Sequence, residues 1–181
     1  MQKVWLQTRT QQFSSNQPRT IWEVSDQAAS QHTIEQTIGK LTLQYIDFGY
    51  VMTTESTPVS TPTSSIISIH SLQDPYPDIT IEHCNFEGKT YRTYSMLRIE
   101  GGQRVIVDKC SFSSMDTINS PIQATSYKQF SVSNSNFTDI NCIGTTGAID
   151  VSQGRGNDWS ISIASNYFDN CIGESIGAFS I

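Results

Sequence analysis

Five phenylalanines restrict what this chain can fold into. Phe48, Phe86, Phe112, Phe137 and Phe168 each follow two apolar residues placed seven and five positions earlier. The triples are Leu41/Leu43/Phe48, Ile79/Ile81/Phe86, Val105/Val107/Phe112, Phe130/Val132/Phe137 and Ile161/Ile163/Phe168. A polar residue stands between the first two members in four of them (Thr42, Thr80, Ser131, Ser162), and Ile106 in the other. Such alternation marks a strand with one buried face. Two residues before each Phe the sequence reads Ile46, Cys84, Cys110, Ser135 and Asn166.

A second apolar pair follows each Phe: Ile67/Ile69, Leu97/Ile99, Ile122/Ala124, Ile149/Val151 and Phe179/Ile181. Successive Phe residues are 38, 26, 25 and 31 residues apart. No strong helix signal lies between the strands, so crossover helices for a doubly wound sheet are not expected. Short strands at this period predict a parallel β-helix, a solenoid of about five to six turns stacked ~4.8 Å apart. One turn cannot bury its own apolar face, whereas stacked turns make a continuous core. An antiparallel sandwich is the competing all-β arrangement, but it does not require the same residue type at the same place in every unit.

Composition narrows the function classes. Charged residues are only 15% of the 181, and Ser and Thr together make up about a quarter. That mix is unlike a coiled coil or a charged helical bundle. A net charge of −6 argues against a phosphate backbone as partner, so nucleic acid is not expected. No stretch approaches the ~18 apolar residues of a membrane-spanning helix. The start turns polar after two or three apolar residues, with no signal-peptide core. The chain is therefore expected to be either not secreted or a mature or partial piece of a longer precursor.

The segments Phe130–Phe137 (FSVSNSNF) and Thr146-Gly147-Ala148-Ile149 resemble repeats of right-handed, pectin-lyase-like β-helix proteins. They are most similar to the Phe-x-x-Asn and Gly-Gly-Ala-Ile repeats of polymorphic outer-membrane-type surface proteins. Gly177-Ala178 repeats the Gly-Ala element, and the resemblance spans about residues 41–181. It implies a right-handed helix, with residues 41–181 as the β-helix domain and 1–40 as a partial turn or cap. Enzymes of this fold cut acidic polysaccharides using clustered carboxylates, with calcium and a basic residue in the lyases. The candidates here are sparse. Glu82 and Asp108 each lie four residues before a Phe and should stack, and Arg98, Gln123 and Asp150 should share an outward column. Arg98-Ile99-Glu100 is the nearest approach to a lyase motif. His32, His70 and His83 fall at unrelated places, so no metal cluster and no cofactor is expected.

Cys84 and Cys110 both precede a Phe by two, and Cys142 and Cys171 both sit in Asn-Cys-Ile-Gly. Each pair is therefore expected to stack on adjacent turns, either as small core residues or, alternatively, as a disulfide. Near the N-terminus, Trp22 and Val24 read as a strand of the second type, and Val4, Leu6 and Phe13 as a worn first unit. Asn136-Phe137-Thr138 is an N-glycosylation sequon whose Asn136 should point outward, between inward Ser135 and Phe137. The loop 53–65 is rich in Ser, Thr and Pro, with Thr57, Ser60, Thr61 and Thr63 as O-glycosylation candidates or, failing that, a flexible polar loop. Ile181 ends the chain within a strand, so Ile163, Phe168, Phe179 and Ile181 should form an apolar face. Another copy, another chain or a missing extension would cover it. The expectation is a non-enzymatic structural or adhesive module of a cell surface, matrix or fibre, carrying glycans. The alternatives are a partial or degenerate polysaccharide lyase or hydrolase, or an intracellular scaffold component.

Overall fold

The structure, a computed structural model, describes residues 8–11, 19–25, 34–36, 38–51, 65–71, 74–88, 92–152 and 154–181. Among these residues every regular element is a β-strand, and all but one of the pairings between strands are parallel. No described helix is long and apolar enough to cross a membrane.

The strands form two sheets between which the chain passes back and forth. The first sheet stacks β1 (Thr8–Gln11), β2 (Arg19–Ser25), β5 (Ile46–Val51), β8 (Asn85–Glu87), β11 (Ser111–Thr117), β13 (Asn136–Cys142) and β16 (Tyr167–Ile172), with β9 (Arg92–Thr93) also beside β11. The second holds β3 (Ile34–Gln36), β6 (Ile67–His70), β10 (Leu97–Asp108), β12 (Ile122–Ser133), β14 (Ile149–Val151) and β17 (Phe179–Ser180) in one ladder. Its other ladder runs through β4 (Lys40–Gln44), β7 (Asp78–Glu82), β10, β12 and β15 (Ser160–Ala164). The strand preceding a Phe and the second-type strand before it thus merge in the middle units into single strands of 12 residues.

Register puts like on like. Phe48, Phe86, Phe112, Phe137 and Phe168 are paired in succession, with ring centroids 4.9, 4.7, 4.9 and 5.0 Å apart and planes within 12°. That spacing is the ~4.8 Å between strands, so the backbone ladder itself imposes the ring stack. The second-type pairs align too: Ile67, Leu97, Ile122, Ile149 and Phe179 form one column, and Ile69, Ile99, Ala124 and Val151 the next. In the interior units these side chains are fully buried.

Two expectations need correction. Trp22 does not lie in a second-type strand: β2 pairs with β5, and Trp22 extends the aromatic column, 5.8 Å from Phe48. The second-type position there is taken by Ile34, which pairs with Ile67. Cys142 and Cys171 do not share a column. Cys142 lies five residues after its Phe and pairs with Thr117, whereas Cys171 lies three after and pairs with Ile140. Register counts from the Phe, so the shared tetrapeptide is offset. Val4, Leu6, Phe13 and the loop residues Thr57, Ser60, Thr61 and Thr63 lie outside the described residues.

The corners between the sheets recur as well. Tyr45, His83, Lys109, Asn134 and Ser165, each three residues before a Phe, have φ between 50° and 57°. One left-handed residue per unit turns the strand sharply from one sheet into the other. Gly101 makes a second bend inside β10, where φ is +108° and a Cβ would stand 1.9 Å from the Ser71 carbonyl oxygen. Only glycine fits there.

Candidate functional site

The corner column two residues before each Phe is built for hydrogen bonding. A corner withdraws backbone groups from the ladder, and buried backbone groups need partners. Cys110 N–H donates to Ser135 Oγ at 3.0 Å, and Ser135 N–H to Asn166 Oδ1 at 2.9 Å. Asn166 Nδ2 donates to the Val132 carbonyl at 2.8 Å. The thiols of Cys84 and Cys110 lie 3.6 and 3.5 Å from the carbonyls of Leu43 and Ile81. All four cysteines are free thiols. The contact between the two corner thiols lowers Cys84 and, with burial, pushes Cys110 well up, so at least one of the pair stays protonated. Burial also raises the thiols of Cys142 and Cys171. Protonated, buried thiols are poor nucleophiles. The corner cysteines are structural donors in the same role as Ser135 and Asn166.

The carboxylates singled out from the sequence are neighbours. Asp108 pairs with Glu82 across adjacent strands. Glu82 accepts from Gln44 Nε2 at 2.8 Å, while Asp108 accepts from Ser133 Oγ at 2.7 Å and Asn134 Nδ2 at 2.8 Å, with Lys109 Nζ 3.5 Å away. Partial burial works against the Asp108 charge, but those hydrogen bonds and Lys109 outweigh it and hold its carboxyl below the usual range. A carboxylate so stabilised is a weak proton carrier at neutral pH.

Arg98, Gln123 and Asp150 do share one outward column. Over them opens a cleft of about 210 Å³, also bordered by Tyr94, Glu100, Asn119 and Ser152. Glu100 anchors its rim: Arg98 Nε donates to it at 2.8 Å, Arg98 Nη2 pairs with the same oxygen, and His70 Nδ1 lies 2.7 Å from the other. Burial opposes the Glu100 charge, yet the bonds from His70 and Arg98 prevail and lower its pKa. Sequence reasoning found the Arg98 column but not the His70–Glu100 contact; the two lie 30 residues apart and only the register Glu100↔His70 joins them. Among the described residues, no three of His, Cys, Asp and Glu are grouped to hold a metal ion.

Two surface features lie where alternation puts them. Asn136 is exposed in the outward column of Ser111 and Tyr167, between buried Ser135 and Phe137. Ile163, Phe168, Phe179 and Ile181 gather on the last unit. Ile163 and Phe168 are half-buried against the core, and Phe179 and Ile181 are 42% and 68% exposed. Phe168 and Phe179 still touch, 5.9 Å between ring centroids. The sequence missed the apolar neighbours on the outer face: Tyr167, Ile172 and Ile143 are exposed as well. No protein-family profile, curated protein or solved structure matches this chain.

Proposed function

We propose that the chain is a right-handed parallel β-helix that serves as a non-enzymatic structural or adhesive module of a cell surface, matrix or fibre, assembling through the face of its last unit. Two parallel sheets visited in alternation, with each residue type stacked on its own kind, support the β-helix reading. The right hand follows from the strand twist that makes about 98% of parallel crossover connections right-handed. The observation that carries the function is the stack of like-on-like apolar columns. It keeps its register through Phe168 and Phe179 and so can be extended by another copy, another chain or a further unit of the same protein. A parallel sheet edge backed by apolar side chains templates pairing with another strand. Copies stacked head to tail would make a heterologous contact that does not close, and the product is a filament. Asn136 and the Ser/Thr/Pro loop carrying Thr57, Ser60, Thr61 and Thr63 are the positions proposed for glycans.

A polysaccharide lyase or hydrolase is the second reading, and the adjacency of Glu82 and Asp108 is what favours it. Against it, each carboxylate is committed to side chains on neighbouring strands. Release of unsaturated or reducing ends from polygalacturonate, abolished by Glu82→Gln or Asp108→Asn, would establish that reading instead.

Sedimentation velocity of the chain tests assembly. Concentration-dependent species larger than a monomer are expected, and Phe179→Asp with Ile181→Asp should return them to monomer while leaving the far-UV circular dichroism unchanged. A monomer at all concentrations, or assembly indifferent to both substitutions, would overturn the proposal.

A further inference from the structure

The cleft over Arg98, Gln123 and Asp150 has a charge imbalance that points to a ligand. Arg98 is committed: Nε donates to Glu100 and Nη2 pairs with the same carboxylate. Glu100 is likewise satisfied, since His70 Nδ1 holds its second oxygen at 2.7 Å. Asp150 is different. Among the described residues no cation lies within ion-pair distance of its carboxylate and no donor hydrogen-bonds it, although it borders the cleft. Arg98 does not serve, because its guanidinium is turned to Glu100 and Gln123 stands between Arg98 and Asp150 in the column. A carboxylate that borders a cleft without a partner attracts a cation.

We propose that this cleft binds a single cationic group, an ammonium or guanidinium, with Asp150 as its counter-ion and the side-chain oxygens of Asn119 and Ser152 as further acceptors. Size agrees with one small group. The volume of about 210 Å³ falls below the ~300 Å³ at which sites for drug-sized ligands begin. Other classes of occupant fit less well. An anion would meet a second, unpaired negative charge in Asp150. A sugar ring would seek an open aromatic face to stack on, and one face of Tyr94 is already covered by the Arg98 guanidinium, 6.0 Å from the ring centroid. Asp150 lies one strand in from the end, opposite Ser180 of the last strand, but in the outward column, whereas Phe179 turns to the interior, so the inference does not rest on assembly.

Amide-shift NMR titration of the full chain with methylguanidinium and with butylammonium tests it. Glucose and glucuronate serve as the neutral and anionic controls. Saturable shifts are expected around Gln123 and Asp150 with the two cations, and none with the controls. Raising NaCl to ~0.5 M should weaken binding in the native chain, since the contact is a partly exposed ion pair. Asp150→Asn should weaken it about fivefold or more with the rest of the spectrum unchanged. Should that variant fail to fold, the salt dependence of the native chain decides the question. Absence of saturable shifts, binding insensitive to salt or to Asp150→Asn, or preferential binding of glucose or glucuronate would each overturn the proposal. Whether the chain sediments as a monomer or a filament bears on neither outcome, so the two proposals fail separately.

Discussion

Phe137 and Phe179 face the same interior, yet one is fully buried and the other 42% exposed. Phe137 is sandwiched between Phe112 and Phe168 at 4.9 and 5.0 Å with nearly parallel planes. Phe179 meets Phe168 at 5.9 Å, tilted by 38°. The units on either side of Phe137 supply neighbours on both faces, while the described contacts of the last unit come from one side. Ile161, Ile163 and Cys171, which would be fully buried in the interior, are only half-buried there. The lesson is that pointing inward and being buried are separate properties in this molecule. Alternation along a strand sets the first, and stacking neighbours set the second.

The largest test of that contrast is Phe112→Ala against Phe168→Ala. The interior truncation should cost ~3–5 kcal/mol, since the cavity is closed on all sides, and the half-buried one about half as much. Equal losses in urea titrations of the two variants would mean that the last unit is as tightly covered as the interior.

A backbone version of the contrast follows from the glycines. Gly101 sits at a bend in an interior unit with the Ser71 carbonyl against it, whereas Gly156, also at positive φ, meets only Lys128 Nζ at 3.6 Å in the loop before the last unit. Gly101→Ala should lower stability by more than about 3 kcal/mol, combining steric displacement of Ser71 with left-handed strain. Gly156→Ala should cost only the strain, ~1–2 kcal/mol. Thermal melts of both variants check the order, and a harmless Gly101→Ala would mean that the bend relaxes freely.

The smallest effect expected concerns the outer face. Interior units carry Glu82, Asp108 and Ser133 in one outward column, and the last unit offers Ala164 there. The folded-state pKa of Asp108 lies below its unfolded value, so its contribution to stability is present above about pH 4 and is lost as pH falls through the lower, folded value. Asp108→Asn should therefore lower the melting temperature slightly at pH 7, where that contribution is present, and flatten the acid limb of the profile below about pH 4, where the native chain loses it as well. Ala164→Ser, in the same column, should leave that limb unchanged. An unaltered acid limb in Asp108→Asn would assign acid sensitivity to other groups such as Glu100, which is also held below its usual range.

How far the sequence reaches is clear from particular residues. The Phe spacing located all five rings of the central column, and period-two alternation identified the second-type pairs, because a strand exposes alternate residues whatever lies beside it. Local sequence could not show that Trp22 continues the ring column, since that depends on β2 pairing with β5. Nor could a shared Asn-Cys-Ile-Gly string reveal that Cys142 and Cys171 occupy different columns, because strand register is counted from the Phe. The corner residues Tyr45, His83, Lys109, Asn134 and Ser165 share a conformation but no side-chain chemistry, so no residue type marked them.

Of the candidate sites, the apolar face of Ile163, Phe168, Phe179 and Ile181 was legible because it follows from the repeat alone. The column of Arg98, Gln123 and Asp150 was legible for the same reason. The pairing of His70 with Glu100, the commitment of Arg98 and the solitary carboxylate of Asp150 were not. The amino-acid sequence determined which side chains turn inward, since alternation and repeat length are properties of the chain. Tertiary structure alone decided which of them are covered, which polar groups find partners and where a charge is left unbalanced. Those outcomes rest on contacts between strands about 25 to 40 residues apart, and no local pattern carries that information.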